Sequence, residues 1–166
     1  MSPKCHHVLI SLGSNIDREI HTRAGVDALR QHFCDVQLSS VYESEAVGFT
    51  GTAFYNLVAS AYTEMSIAQV CQTLKRIERD NGRISTEKKF APRTLDLDLL
   101  TYDQQVTNDP VVLPRDEITY NAFVLQPLAE LVPNHVHATT AQTYFDLWQS
   151  YDKTKQNLWP IEFDWS

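Results

Sequence analysis

The chain has 166 residues, 43% of them hydrophobic, enough apolar material for one compact domain spanning 1–166 with its own core. A formal net charge of −7 and a pI near 5.3 argue against a nucleic-acid-binding surface, though not against a local cationic pocket. Cys5, Cys34 and Cys71 are scattered and lack zinc spacing, so they read as reduced thiols. There is no charged-then-apolar signal pattern and no run of about 18 apolar residues, so the expectation is a soluble, cytoplasmic protein with no membrane partner.

In chain order, Val8–Leu12 reads as a buried strand stopped by the turn composition Gly13-Ser14-Asn15. Asp17 to Phe33 reads as a helix with Ala24, Ala28 and Leu29 among its apolar positions. Val36 to Glu43 alternates with one slip, predicting a single strand with a bulge. A loop over 45–52 precedes a strand from Phe54 to Thr63. Ser66 is a helix N-cap candidate, followed by Ile67, Val70, Cys71, Leu74 and Ile77 at helical spacing, with Gly82 as the stop. A polar, basic loop fills 83–94, and Pro92 disfavours helix before it. Leu95 to Tyr102 is the next strand. Short strands are expected at Val106 and Val111–Leu113, and helices over Ala122–Leu131 and Ala141–Ser150.

The order β-α-β-β-α-β with a small C-terminal addition predicts an α+β fold. The expected form is a ferredoxin-like split βαβ sandwich, in which an antiparallel sheet carries both long helices on one face, with additional C-terminal helices. The other face is then available to ligands, between loops 45–52 and 83–93.

Pro92-Arg93-Thr94-Leu95-Asp96-Leu97-Asp98-Leu99-Leu100 is the stretch richest in chemistry. On a strand Asp96 and Asp98 share one face, with Cα atoms about 6.5–7 Å apart, and Leu95, Leu97 and Leu99 take the other. Paired carboxylates on an apolar strand repel each other. Mg²⁺ relieves that repulsion, taking one or two protein carboxylates and completing its shell with substrate phosphates. The adjoining loop carries Arg83, Lys88, Lys89 and Arg93, cations suited to phosphate oxygens. Either feature alone is common by chance; together they point to phosphoryl-type transfer. Gly13-Ser14-Asn15 fits neither glycine-rich nucleotide fingerprint and reads as a turn. Phe54, Tyr55 and Phe123 suit either ring stacking or the core. His135 and His137 lack a third metal ligand and read as structural.

These residues resemble the 6-hydroxymethyl-7,8-dihydropterin pyrophosphokinase family over about Val8 to His137. The resemblance is carried by Leu12-Gly13-Ser14-Asn15, Tyr55-Asn56-Leu57, Ile77-Glu78 with Gly82-Arg83, the Pro92–Asp98 run, and Phe123-Val124-Leu125-Gln126-Pro127-Leu128. It implies pyrophosphoryl transfer from ATP to the hydroxymethyl group of a reduced pterin, with AMP released. It further implies two Mg²⁺ ions held by Asp96 and Asp98, with Arg83 and Arg93 on the triphosphate and Glu78 near the nucleotide. Phe54 and Phe123 would sandwich the pterin, Asn56 would bond its edge, and backbone near Ser44 and Val47 would read its amide. The 45–52 and basic loops would close over both substrates.

The chain departs from the family pattern at several positions. Ser85 stands where many members have arginine, and Phe90 where many have tryptophan. Arg115-Asp116 replaces a histidine-led pair, and Asn121 stands where arginine is common. Lys88, Lys89 and Arg115 are the cations able to compensate, whereas Asp116 must face away from a triphosphate. The partners expected are ATP and a reduced pterin, the chain acting as a monomer or weak homodimer. A pterin-binding paralogue without efficient transfer, and an interaction domain with merely surface carboxylates, are the competing readings.

Overall fold

The computed structural model describes residues 5–44, 53–81, 95–154 and 156–165. Its elements are β1 (His6–Ser14), α1 (Arg18–His32), β2 (Cys34–Leu38), β3 (Val41–Ser44), β4 (Phe54–Thr63), α2 (Ile67–Asp80), β5 (Asp96–Tyr102), α3 (Ala122–Leu131), α4 (Tyr144–Ser150) and β6 (Leu158–Ile161). A 3-10 turn, Asp116–Thr119, precedes α3. The strands form a six-stranded sheet in the order β5-β1-β4-β3-β6, with β2 also on β4. All of these pairings are antiparallel.

Period-2 burial divides the sheet between two cores. On one face Val8, Ile10 and Leu12 of β1, Leu57, Ala59 and Ala61 of β4, and Leu97 and Leu99 of β5 pack with Leu95 under Val26 and Leu29 of α1 and Val70, Leu74 and Ile77 of α2. On the other, Leu9, Val58 and Leu100 meet Val124, Leu125 and Leu128 of α3 and Tyr144 of α4. The second face is therefore not left wholly to ligands as expected: the C-terminal helices cover part of it.

α2 forms where its spacing predicts. Ser66 caps it, with a reciprocal bond from the Gln69 side chain completing a capping box. The described helix ends on Asn81, whose side chain donates to the Ile77 carbonyl at 2.9 Å; Gly82, the predicted stop, lies outside the described residues. α1 packs through Thr22, Gly25, Val26 and Leu29, with the half-buried Ala28 against the same core. Gly25 allows this close approach, because a Cβ there would stand 2.8 Å from Leu12 Cδ1 and 3.0 Å from Leu95 Cδ1.

Several boundaries differ from the sequence reading. β1 runs on to Ser14, so Gly13 is a strand residue and not a turn. The segment from Val36 to Glu43 makes two strands, both on β4: the Ser39 N–H still donates to the Val58 carbonyl, but the regular pairing is interrupted there. The Ser39 hydroxyl accepts from Val58 N at 3.0 Å, while Ser40 N donates to Glu130 at 2.9 Å. Around Val106 and Val111–Leu113 there is a single bridge, Thr107 to Leu113. α4 starts at Tyr144, capped by Thr143. β6 was not anticipated; its Pro160 cannot donate to a ladder and sits on an edge strand, where that omission is tolerated. Among the described residues no helix is long and apolar enough to cross a membrane.

Far from Asp96, His7 donates through its backbone N–H to Asp103, bonds Ser60 Oγ at 2.7 Å and faces the rings of Tyr62 and His135. Burial, and then His135, hold its pKa below the ordinary 6.5 against the opposing pull of Asp103; burial does the same to His137. Below pH 6.5 the unfolded chain takes these protons first, so the stability they confer above that pH is lost on acidification. The melting temperature should fall between about pH 7.5 and 5.5, and His7→Gln should flatten that fall in a thermal-shift series. Gly25→Val should cost about 1–3 kcal/mol in urea unfolding through overpacking against Leu12 and Leu95.

Candidate active site

Burial of the leucines fixes where the carboxylates go. With Leu95, Leu97 and Leu99 committed to the α1–α2 core, Asp96 and Asp98 project from the opposite face, each half-buried. Register then aligns them with their neighbours. Asp96 is paired with Gly13, Gly13 with Asn56, Asn56 with Tyr42 and Tyr42 with Pro160. In the next row Asp98 pairs with Ser11 and Ser11 with Val58. Directly opposed residues share a face, so the acid pair and Asn56 lie on one surface, about 10 Å apart across two strand spacings.

Three strands change character together along this surface. Leu9, Val58 and Leu100 are covered by α3, whereas Ser11, Gly13, Asn56, Asp96 and Asp98 continue past that cover. Gly13 leaves room there: a Cβ would stand 3.1 Å from Asn56 Oδ1, close enough that the amide would have to shift by a few tenths of an ångström. Asn56 Nδ2 donates to the hydroxyl of Ser44 at 2.9 Å, which fixes the amide, and Ser44 is itself paired with Phe54. Asn56, Ser44 and Phe54 are thus brought together. Phe123 is half-buried in the first turn of α3. Tyr55, the alternative stacking residue, is core, with the Arg18 guanidinium 4.0 Å over its ring.

A cavity of about 230 Å³ at the outer edge of β5 is lined by Asp96, Asp98, Glu78, Lys75, Cys71 and Arg115, among others. Glu78 reaches across from α2 and accepts the backbone N–H of Leu97 at 2.8 Å, so this carboxylate holds the edge strand as well as facing the cavity. Arg115 donates its backbone N–H to the Leu100 carbonyl. Its guanidinium lies 3.4 Å from Asp98 and 3.1 Å from Glu117. Burial works to lower the pKa of Arg115, but Asp98, Glu117 and Asp96 outweigh it and hold the guanidinium charged more firmly than usual.

Asn121, at the position where arginine is common in the resembled family, plays a different part here. Its side chain accepts from Phe123 N at 3.0 Å as the cap of α3 and donates to Glu117 at 3.1 Å. Asp116 is exposed. His137 is buried and accepts from Thr140 N, and the exposed His135 lies edge-on to the His7 ring. Val47, Arg83, Ser85, Lys88, Lys89, Phe90 and Arg93 lie outside the described residues. Sequence reasoning missed Ser11, which register pairs with Asp98, Lys75, which lines the cavity, and Glu117, which pairs with Arg115. Strand register would have found the first, but nothing local marks the others.

The donor set suits a hard cation that arrives with its own ligands. Two carboxylates alternate along one strand, and among the described residues no group of three or more His, Cys, Asp or Glu side chains is placed to hold a metal ion. Mg²⁺ needs no more than one or two carboxylates when substrate phosphates and water complete its octahedron.

The family model for 7,8-dihydro-6-hydroxymethylpterin-pyrophosphokinase (HPPK) matches residues 9–133. The 2-amino-4-hydroxy-6-hydroxymethyldihydropteridine pyrophosphokinase of Synechocystis is 33% identical over 162 residues, covering 95% of this chain and 82% of that protein. The enzyme of the same name from Bacillus subtilis is 34% identical over 140 residues, covering 81% and 83%. In structure the chain is similar to wild-type Plasmodium falciparum HPPK-DHPS with pteroate, at a TM-score of 0.71 and 13% identity. That match covers 90% of this chain but only 43% of the longer one, and it shows the fold.

Asn121→Ala removes the α3 cap and should cost about 1 kcal/mol, read as a lower urea midpoint at unchanged slope.

Proposed function

We propose that this chain, which belongs to the 7,8-dihydro-6-hydroxymethylpterin-pyrophosphokinase family, transfers the terminal diphosphoryl unit of ATP to 6-hydroxymethyl-7,8-dihydropterin. The observation that carries this reading is the row Asp96–Gly13–Asn56, which puts an acid pair and a side-chain amide on one sheet surface. In the reaction the pterin hydroxyl oxygen bonds to the β-phosphorus, the bond from that phosphorus to the α–β bridging oxygen breaks, and AMP leaves. The hydroxyl proton goes to solvent.

The chain's own residues supply binding and orientation. Asn56, held by Ser44, offers its amide to the pterin edge, and Gly13 keeps space beside it. Phe54 and Phe123 flank the ring, while backbone near Ser44 and Val47 reads its amide. Asp96 and Asp98 hold Mg²⁺, two ions with ATP, which neutralises charge on the phosphate oxygens. Arg83 and Arg93 engage the triphosphate by their match to the family motif, supported by Lys88, Lys89 and Arg115. Glu78 keeps β5 in place and faces the nucleotide side of the cavity. The core is read as the ferredoxin-like split βαβ, a reading supported by the central order β5-β1-β4 and by two long helices over one face. Cys5, Cys34 and Cys71 are free thiols, which supports a reducing, cytoplasmic setting. Both the acid pair and the ring-reading amide come from one chain, which supports action as a monomer or weak homodimer.

Purified protein given Mg-ATP and the pterin should form AMP only when both are present. Asp96→Ala and Asp98→Ala should each lower that rate about 10³-fold with circular dichroism unchanged. Near-parent rates in either variant would remove the acid pair from the mechanism.

A further inference from the structure

We propose that Arg115 is a resident counter-cation that makes the acid pair take up a divalent ion together with nucleotide phosphates rather than alone. This rests on the reading of Asp96 and Asp98 given above. The guanidinium lies 3.4 Å from Asp98, where it already offsets much of the charge that would draw in a free ion. It is not a loosely held surface group. Glu117 grips Nε at 3.1 Å, and the Arg115 backbone is tied to Leu100 next along β5. Glu117 is in turn held by Asn121, the residue that caps α3. Arg115 is thus fixed in a bracket between the acid strand and the helix that carries Phe123.

The electrostatics of such a bracket discriminate between two forms of the same ion. A bare divalent cation meets repulsion from a fixed positive charge a few ångströms away. A cation already bound to phosphates arrives with anionic oxygens, which the guanidinium attracts and can bond in a planar fork. One side chain therefore acts with opposite sign on the two ligands. A purely structural role for Arg115 would move both affinities in the same direction or neither.

The test uses the full chain, with bare Mn²⁺ followed by electron paramagnetic resonance and a magnesium complex of a non-hydrolysable ATP analogue followed by calorimetry. Arg115→Gln should bind bare Mn²⁺ about tenfold tighter and the nucleotide complex about tenfold weaker. Arg115→Lys, which keeps the charge, should retain the parent's weak Mn²⁺ binding. Glu117→Gln, which leaves the guanidinium to Asp98, should weaken Mn²⁺ binding further, and it serves as the second variant if Arg115→Gln does not fold. Unchanged or weaker Mn²⁺ binding in Arg115→Gln overturns the proposal, even where nucleotide binding falls. So does unchanged or tighter Mn²⁺ binding in Glu117→Gln. Asp98→Asn separates the two readings. If it leaves Mn²⁺ binding untouched both with and without the analogue, the acid-pair assignment fails; if it abolishes that binding while Arg115→Gln has no effect on bare Mn²⁺, only the role of Arg115 fails.

Discussion

The register of β5 is the constraint on which the site depends. A strand has two faces, and a slip by one residue exchanges them. Here Leu95, Leu97 and Leu99 are fully or almost fully buried, so such a slip would bring two aspartates under α1 and α2 and put three leucines in the cleft. Burying even one unpaired carboxylate is far costlier than exposing a leucine, so the alternation is self-enforcing. Two side interactions add to it. Glu78 takes the Leu97 N–H from the outer edge, and Arg115 N takes the Leu100 carbonyl. The chemistry of the site is thus held by the hydrophobic core on the reverse side of the same strand.

A bulge lets one strand serve both cores. The register between β1 and β5 shifts between Leu9 and Ile10, so that Leu99 opposes Ile10 while Thr101 opposes Leu9. Leu100 falls in the gap and packs under α3, and the strand emerges with Tyr102 back on the α2 side, its hydroxyl donating to the Met65 carbonyl. The acidic half of β5 lies before the bulge, and the structural half after it. Where α3 stops covering the sheet, the surface turns polar at Ser11 of β1 and Asp98 of β5 and one row later at Asn56 of β4, and that edge bounds the cleft.

Much of this was present in local pattern. Asp96 and Asp98 are separated by one leucine and flanked by others, which states both the strand and its facing. Ile67, Val70, Leu74 and Ile77 state α2 and its buried stripe in the same way. What local pattern does not carry is partnership over long sequence distances. Val36 to Glu43 looks like one strand because Ser39 and Ser40 fit an alternating segment, and the interruption there involves partners far along the chain, Val58 and Glu130. Gly13 looks like a turn residue because glycine usually punctuates, yet here it yields room to Asn56. β6 contains Pro160 and follows the polar pair Gln156-Asn157, so nothing marks it as a strand until β3 presents an open edge. Arg115 was noted as a departure, but its pairing with Asp98 depends on a turn between β5 and α3 whose path the sequence does not specify.

Charge links Arg115, Glu117 and Asn121 into one arrangement. The chain is acidic overall, and Asp96, Asp98 and Glu78 all line the cavity at the edge of β5. A polyphosphate approaching such a surface is repelled unless cations invert the local field. Arg115 supplies one, and Glu117 orients it. That carboxylate would compete for any arginine placed one helical turn further on. An asparagine at 121 avoids the competition: it donates to Glu117 without adding charge and uses its oxygen to cap α3. Arg115 and Asn121 thus both bear on Glu117: cationic character sits next to the strand of Asp96 and Asp98, and the helix bearing Phe123 is secured by a neutral cap.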